Sequence, residues 1–161
     1  SQFAYTPSNL LIGLVTAPMI VPIFPYAEVE FIRSEAALIA GNTTAAKTAY
    51  EKGVQAAIEQ WTVTFPTTYF TNTNAAWNGT LDRIMLQKYY ALIFVDYQQW
   101  FEYRRTGLPK LPVAAGMLNN GVMPSRFMYP IPVKMSNPDK YNEAVTAMGG
   151  DNINVKVWWE K

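Results

Sequence analysis

Apolar residues recur at helical spacing in two neighbouring segments of the chain. From about Pro25 to Gly41, at about 100° per residue, the apolar arc contains Val29, Phe31, Ile32, Ala36, Leu38 and Ile39, and the polar arc contains Glu30, Arg33, Ser34 and Ala37. From about Thr44 to Trp61 a second stripe contains Ala46, Tyr50, Gly53, Val54, Ala57 and Trp61. Spacings of three and four residues predict two helices joined by a tight turn.

The second predicted helix carries a small residue on its apolar side. Gly53 would let a partner helix approach closely, and two antiparallel helices with this pattern look like one tetratricopeptide-type pair. Because a single pair cannot bury its own apolar face, a further helix or a preceding repeat must complete the stack.

The next helical pattern is apolar on all sides. It runs from Leu81 to Gly107 as LDRIMLQKYYALIFVDYQQWFEYRRTG, and a helix that is hydrophobic all round is usually buried. We therefore predict one long buried helix. Arg104 and Arg105 lie in its last turn, where cations suit the negative end of the helix dipole and Gly107 favours a stop.

Two carboxylates interrupt the apolar arc of the first helix. Glu28 and Glu35 project into its middle, and a buried carboxylate is costly unless it is paired or protonated. Arg104 and Arg105 are suitable partners, because a guanidinium can bind a carboxylate through two hydrogen bonds. We predict structural ion pairs among these four residues. Acid/base catalysis by the two carboxylates is the weaker alternative.

The rest of the chain is predicted to be mostly loop. Residues 1–25 carry four prolines and no helical period, which indicates extended apolar chain with at most one short strand. Asn137 and Pro138 start a short helix that ends before Gly149. Trp158 and Trp159 are interpreted as a terminal anchor on the core, with an exposed stacking platform as the alternative.

These patterns predict a mostly α fold. It consists of a tetratricopeptide-like helical hairpin plus a long buried helix, with extended Pro/Gly-rich loops and little β. We expect a single unit over residues 1–161, made of an extended apolar segment over 1–25, a helical core over 26–107 and a loop-rich part over 108–161 with a short helix near 138–148. The uncovered apolar start suggests the C-terminal portion of a larger protein.

Composition excludes several classes of function. Thirteen basic and twelve acidic residues give a net charge of +1, with no charged run that would attract nucleic acid. The 161 residues include no cysteine and no histidine, which removes disulfides, the commonest metal ligands and the commonest general base. We therefore expect no metal, no cofactor and no nucleic-acid partner. The segment from Leu10 to Phe24, interrupted by two prolines, fits neither a signal peptide nor a transmembrane helix.

A loop between the second and third helical patterns combines aromatic and amide side chains. Residues 62–80 read TVTFPTTYFTNTNAAWNGT. Such a mixture suits a carbohydrate, whose hydroxyls bind amides and whose C–H face stacks on aromatic rings. The candidate ligand-binding residues are Tyr69, Phe70, Asn72, Asn74, Trp77 and Asn78. The alternative is that the aromatic side chains simply hold the loop on the helices.

Several sequence motifs together resemble one protein family. In order they are YAEVEFIRSEAALIAGN, AYEKGVQAAIEQW, LQKYYALIFVDYQQWFEYRRTGLPKL, MPSRFMYP, NPDKYNEAV and VWW. They resemble the C-terminal half of the SusD/RagB family of Bacteroidetes surface lipoproteins. The resemblance implies a mostly helical fold built on tetratricopeptide-type repeats. The motifs are fold motifs, so no binding residue is carried over from the family.

The resemblance implies a non-enzymatic protein at the cell surface. Such a protein would be held on the outer membrane by an N-terminal lipid anchor that this chain does not contain, and would capture a glycan for a SusC-like TonB-dependent transporter. The alternative is a helical-repeat scaffold for protein–protein interaction without sugar binding. A glycoside hydrolase is a weaker hypothesis, because it needs two facing carboxyls about 5 to 10 Å apart and no acidic residue lies between Thr62 and Leu81.

Overall fold

The computed structural model of the protein describes residues 21–114 and 116–160. Within these ranges it contains no strand and six α-helices: α1 (Tyr26–Ile39), α2 (Thr43–Glu59), α3 (Leu81–Ala91), α4 (Gln98–Thr106), α5 (Ile131–Ser136) and α6 (Pro138–Met148). The predicted mostly α fold is confirmed. The predicted extended segment over 1–25 lies largely outside the described residues. None of the described helices is both long and apolar enough to cross a membrane.

The chain divides into two compact units. The first ends at Gln99 and contains α1, α2 and α3, whereas the second begins at Trp100 and contains most of α4 together with α5 and α6. The expectation of a single unit over residues 1–161 stays a prediction.

Helices α1 and α2 form the predicted hairpin. Phe31 is fully buried and faces Gly53, where a Cβ atom would lie 3.2 Å from three carbon atoms of the Phe31 ring. The Ser34 hydroxyl donates a hydrogen bond of 2.8 Å to the carbonyl of Ala46. The buried side of α2 is Ala46, Ala49, Tyr50, Gly53 and Val54. The predicted stripe is confirmed at four of these positions, whereas Ala49 was not part of it and Ala57 and Trp61 are only half-buried. The small residue at 53 therefore permits the close approach of the two helices.

The buried side of α1 differs from the predicted arc. Glu28 and Glu35 are buried as predicted, but Glu30 and Ser34 are buried too, and Ile39 is 76 % exposed. Assigning Glu30 and Ser34 to the polar arc was therefore wrong. One oxygen of Glu30 accepts hydrogen bonds from Tyr26 at 2.7 Å and from Arg33 at 2.8 Å. Such charge-assisted hydrogen bonds offset the cost of burying the carboxylate.

The predicted long buried helix is two shorter helices. Helix α3 ends at Ala91 and α4 begins at Gln98. Between them Phe94 has a φ of 64° and Asp96 a φ of 42°, which a right-handed helix cannot accommodate. Leu92 and Val95 within this break are fully buried. Burial of these two side chains thus outweighs the local helical pattern. Several aromatic residues that were predicted to be buried in the long helix are exposed: Tyr90, Tyr97 and Phe101.

The second unit has the predicted short helix and a polar centre beside it. Helix α6 is capped by the side chain of Asn137 and ends at Met148. The next residue, Gly149, has a φ of 84°, a value that favours glycine. The carboxylate of Asp151 accepts hydrogen bonds from the Tyr129 N–H at 3.1 Å and the Tyr141 hydroxyl at 3.0 Å. It also pairs with Arg126 at 3.3 Å and Lys134 at 3.5 Å. This carboxylate therefore joins the loop before α5 to both α5 and α6.

Acid should weaken the second unit through Asp151. Burial alone would raise the pKa of this carboxyl, but the hydrogen bonds from Tyr129, Tyr141 and Lys134 outweigh burial and lower the pKa below 3.8. A lowered pKa in the folded state contributes stability above the unfolded value, and the contribution is lost as the pH falls through the folded value. We expect Asp151→Asn to lower the free energy of unfolding at neutral pH. We also expect this free energy to fall less on acidification in the variant than in the original protein. Urea unfolding at about pH 7 and about pH 3 measures both effects; equal acid sensitivity of the two proteins would contradict the expectation.

Candidate functional site

The loop over residues 62–80 is fixed to the helices of the first unit. Tyr50 of α2 is fully buried, and its hydroxyl donates a hydrogen bond to the carbonyl of Ala75. Burial raises the pKa of Tyr50 to about 12, so this hydroxyl stays a neutral donor at physiological pH. Arg83 of α3 donates to the carbonyl of Thr73 at 2.9 Å. The loop is therefore held from both helices.

Two of the predicted site residues pack against Tyr50. The ring centroid of Trp77 lies 5.3 Å from that of Tyr50, and the centroid of Phe70 lies 6.2 Å from it. Both side chains are half-buried. These contacts are typical of packing between aromatic rings, so Trp77 and Phe70 help to position the loop.

The asparagines of the loop have different roles. The Asn78 side-chain oxygen accepts hydrogen bonds from the N–H and the hydroxyl of Thr80, which caps the start of α3. The Asn72 oxygen accepts from the N–H of Asn74 at 2.8 Å and shapes a turn of the kind that asparagine favours. Asn78 thus organises the helix start, whereas Asn72 organises the loop.

Tyr69, Asn72 and Asn74 are brought together in one cavity, which we call the polar cavity. Its volume is about 430 Å³, and it is lined by Pro66, Thr68, Tyr69, Asn72, Asn74, Ala75, Leu86, Gln87 and Tyr90. The Tyr69 hydroxyl donates a hydrogen bond of 3.0 Å to Oε1 of Gln87. This bond links the loop to α3 across the cavity wall. Trp77, Phe70 and Asn78 are not among the lining residues.

The polar cavity is neutral. The described residues that line it carry no charged side chain. Burial raises the pKa of Tyr69, so its phenol is not ionised near neutral pH. Tyr90 is 56 % exposed and offers an aromatic ring beside the amides of Asn72, Asn74 and Gln87. The arrangement can hold an uncharged ligand that is rich in hydroxyl groups.

Sequence reasoning missed the half of the cavity that α3 provides. Gln87 and Tyr90 were assigned to a helix buried on all sides, which left no reason to consider them as ligand contacts. Tyr90 is exposed on α3, whereas Gln87 is buried and accepts a hydrogen bond from Tyr69 of the loop. A signal was present, because Gln87 is a neutral polar residue in a mostly apolar stretch in which only Lys88 beside it is also polar between Ile84 and Val95.

The arginines and the terminal tryptophans lie in the second unit. Arg104 pairs with Glu160 at 3.4 Å and lies 4.7 Å from the centre of the Trp100 ring, and Arg105 pairs with Glu102 at 2.8 Å. The predicted pairing of Arg104 and Arg105 with Glu28 and Glu35 stays a prediction. The interpretation of the tryptophans as an anchor is wrong, because their exposed fractions are 79 % and 61 % for Trp158 and Trp159.

Comparison with protein families gives a match over most of the chain. Residues 1–130 match the model of a family named SusD-like, which is described as starch-binding and associating with the outer membrane. Comparison with curated proteins gives no match.

Solved structures of related proteins have the same fold. The chain is similar to a SusD-like protein of Bacteroidetes (27 % identity, TM-score 0.71), a SusD homologue from Bacteroides fragilis (26 %, 0.69) and a chitin-binding protein (28 %, 0.69). Each similarity covers 84 % of this chain and 30 %, 34 % and 32 % of those proteins, respectively. The chain thus spans about a third of the length of these relatives.

Proposed function

The chain belongs to the SusD-like family, which is described as starch-binding and associating with the outer membrane, and from this we propose that it captures a neutral oligosaccharide in the polar cavity. Capture takes place at the cell surface and leaves the sugar chemically unchanged. The sugar then passes to a SusC-like TonB-dependent transporter in the outer membrane, where a lipid anchor holds the whole protein. The similarity to a chitin-binding protein supports a carbohydrate ligand.

The observation that carries the proposal is the composition of the cavity wall. An exposed ring, Tyr90, stands beside the amide side chains of Asn72, Asn74 and Gln87. A sugar ring has an apolar C–H face and a rim of hydroxyls, which match an aromatic ring and amide groups respectively. A charged ligand would find no ionised partner among the described lining residues.

The residues that line the polar cavity also support binding without catalysis. Glycoside hydrolysis generally needs one carboxyl as an acid and a second as base or nucleophile on either side of the scissile bond. The polar cavity has no carboxyl among its described lining residues. Glu28, Glu30 and Glu35 are buried in α1, which makes them poor candidates for contact with a polysaccharide.

Isothermal titration with neutral oligosaccharides tests the proposal. We expect dissociation constants between micromolar and millimolar, because the contact area is small, and we expect Tyr90→Ala to weaken binding about tenfold by removing the stacking ring. Tyr97→Ala is the matched control, since Tyr97 is 51 % exposed and Tyr90 56 %, and Tyr97 does not line the cavity. Equal losses in the two variants would place the sugar elsewhere. Failure of every neutral oligosaccharide to bind would favour the protein–protein scaffold instead.

A further inference from the structure

A second cavity adjoins the polar cavity and has a different chemical character. Its volume is about 280 Å³. Tyr69, Gln87 and Tyr90 line both cavities. The remaining lining residues of the second cavity are all apolar: Val54, Ala57, Ile58, Trp61, Val63 and Ala91. We call it the apolar cavity.

The boundary between the two cavities is formed by the side chains that line both, and two of these side chains are joined by a hydrogen bond. The Tyr69 hydroxyl donates to Oε1 of Gln87 at 3.0 Å, which fixes both side chains. Because the oxygen of Gln87 is engaged in this way, its Nε2 group is the donor that a ligand would meet at the boundary. A ligand that occupies both cavities therefore contacts amide and phenol groups in the polar cavity and mostly hydrocarbon in the apolar cavity.

A bare glucan does not match this sequence of environments. Its hydroxyls suit the polar cavity, but burying them among Val54, Ile58 and Trp61 would leave them without hydrogen-bond partners, which is costly. An acyl group on the sugar matches both environments, because its carbonyl is polar and its alkyl end is apolar. Its carbonyl can accept a hydrogen bond from Gln87 Nε2, and its alkyl end can enter the hydrocarbon-lined space.

We propose that the ligand is an acylated oligosaccharide whose acyl group occupies the apolar cavity while its sugar ring occupies the polar cavity. This inference rests on the proposed capture of a neutral oligosaccharide. It narrows the ligand to sugars that carry an N-acyl or O-acyl substituent. Charged substituents are excluded from the class, because neither cavity has a charged side chain among its described lining residues.

Two commercially common tetrasaccharides provide a matched pair of ligands. Chitotetraose and cellotetraose have the same β-1,4-linked glucose-type backbone, and they differ in the N-acetyl group at carbon 2 of each ring. We expect isothermal titration to show about fourfold or stronger preference for chitotetraose, since burial of one methyl group contributes roughly that factor. Similar affinities for both would overturn the inference and leave sugar capture itself intact.

Variants that fill the apolar cavity or make it polar test whether this cavity causes the preference for chitotetraose over cellotetraose. Ala57→Leu adds bulk at a half-buried lining position, and we expect it to abolish the preference for chitotetraose while cellotetraose binds as before. Val63→Asn makes the same cavity polar at a position that is 52 % exposed, so it should fold normally and have the same effect. An unchanged preference in both variants would overturn the inference. If the original protein bound neither tetrasaccharide, the proposed function itself would be refuted.

Discussion

Replacing Tyr50 by alanine is expected to lower the free energy of unfolding by about 3 to 5 kcal/mol, the range typical of removing a buried aromatic side chain. Tyr50 is fully buried and its ring contacts Phe31, Phe70 and Trp77. Its hydroxyl also holds the loop through the Ala75 carbonyl. The substitution therefore leaves a cavity in the core and releases the loop that carries Tyr69, so oligosaccharide binding should be lost as well.

Two further variants separate the contributions of Tyr50. Tyr50→Phe keeps the ring contacts and leaves the Ala75 carbonyl without its partner, which should cost about 1 to 3 kcal/mol. Ile39→Ala removes part of a side chain that is 76 % exposed and should change stability little. Chemical denaturation followed by circular dichroism measures all three. A Tyr50→Ala protein within about 1 kcal/mol of the original would contradict the central position of this residue.

The raised pKa of Tyr50 has a consequence at alkaline pH. The pKa is about 12 in the folded state, compared with an ordinary value of 10.0, because burial disfavours the phenolate. Stability from this group is fully present below the unfolded pKa and declines as the pH rises towards the folded value. This alkaline decline should be smaller in Tyr50→Phe, which has no phenol at this position to ionise.

Gly53→Val is expected to destabilise the protein by about 2 kcal/mol through overpacking between α1 and α2. A Cβ atom at position 53 would lie 3.2 Å from three atoms of the fully buried Phe31 ring, and valine adds two methyl groups beyond it. The higher helix propensity of valine offsets part of this cost, by less than about 1 kcal/mol. In Gly53→Ala the gain in propensity and the smaller overlap should nearly cancel.

A neighbouring exposed position controls for the presence of a valine in α2. Lys52 precedes Gly53 in α2 and is exposed, so Lys52→Val introduces the same side chain without a clash. We expect thermal unfolding to show a clearly lower melting temperature for Gly53→Val than for Lys52→Val. Equal melting temperatures would mean that the helices separate easily at this contact.

The helical hairpin could be predicted from sequence because local signals agree there. The periodicity of α2 and its capping residue Asn42, which accepts a hydrogen bond from the Ala45 N–H, both mark the same helix start. The predicted bounds of α1, α2 and α6 lie within about two residues of those observed. Where periodicity, caps and turn residues point to one structure, the element is well determined.

The wrong predictions concern residues whose tertiary contacts outweigh the local hydrophobic pattern. Glu30 is buried because Tyr26 and Arg33 hydrogen-bond it, and apolarity alone does not reveal such partners. The break after Ala91 depends on the burial of Leu92 and Val95, which requires the rest of the first unit. The candidate loop was recognisable from its composition, but the contribution of Gln87 and Tyr90 depends on how α3 packs beside the loop.

Capture of a sugar in the polar cavity can be observed directly in a crystal structure of the protein with a bound neutral oligosaccharide. We expect a sugar ring against Tyr90 in the polar cavity, with hydroxyls hydrogen-bonded to the side chains of Asn72, Asn74 and Gln87. A sugar bound instead to the exposed rings of Trp158 and Trp159, with the polar cavity vacant, would contradict it.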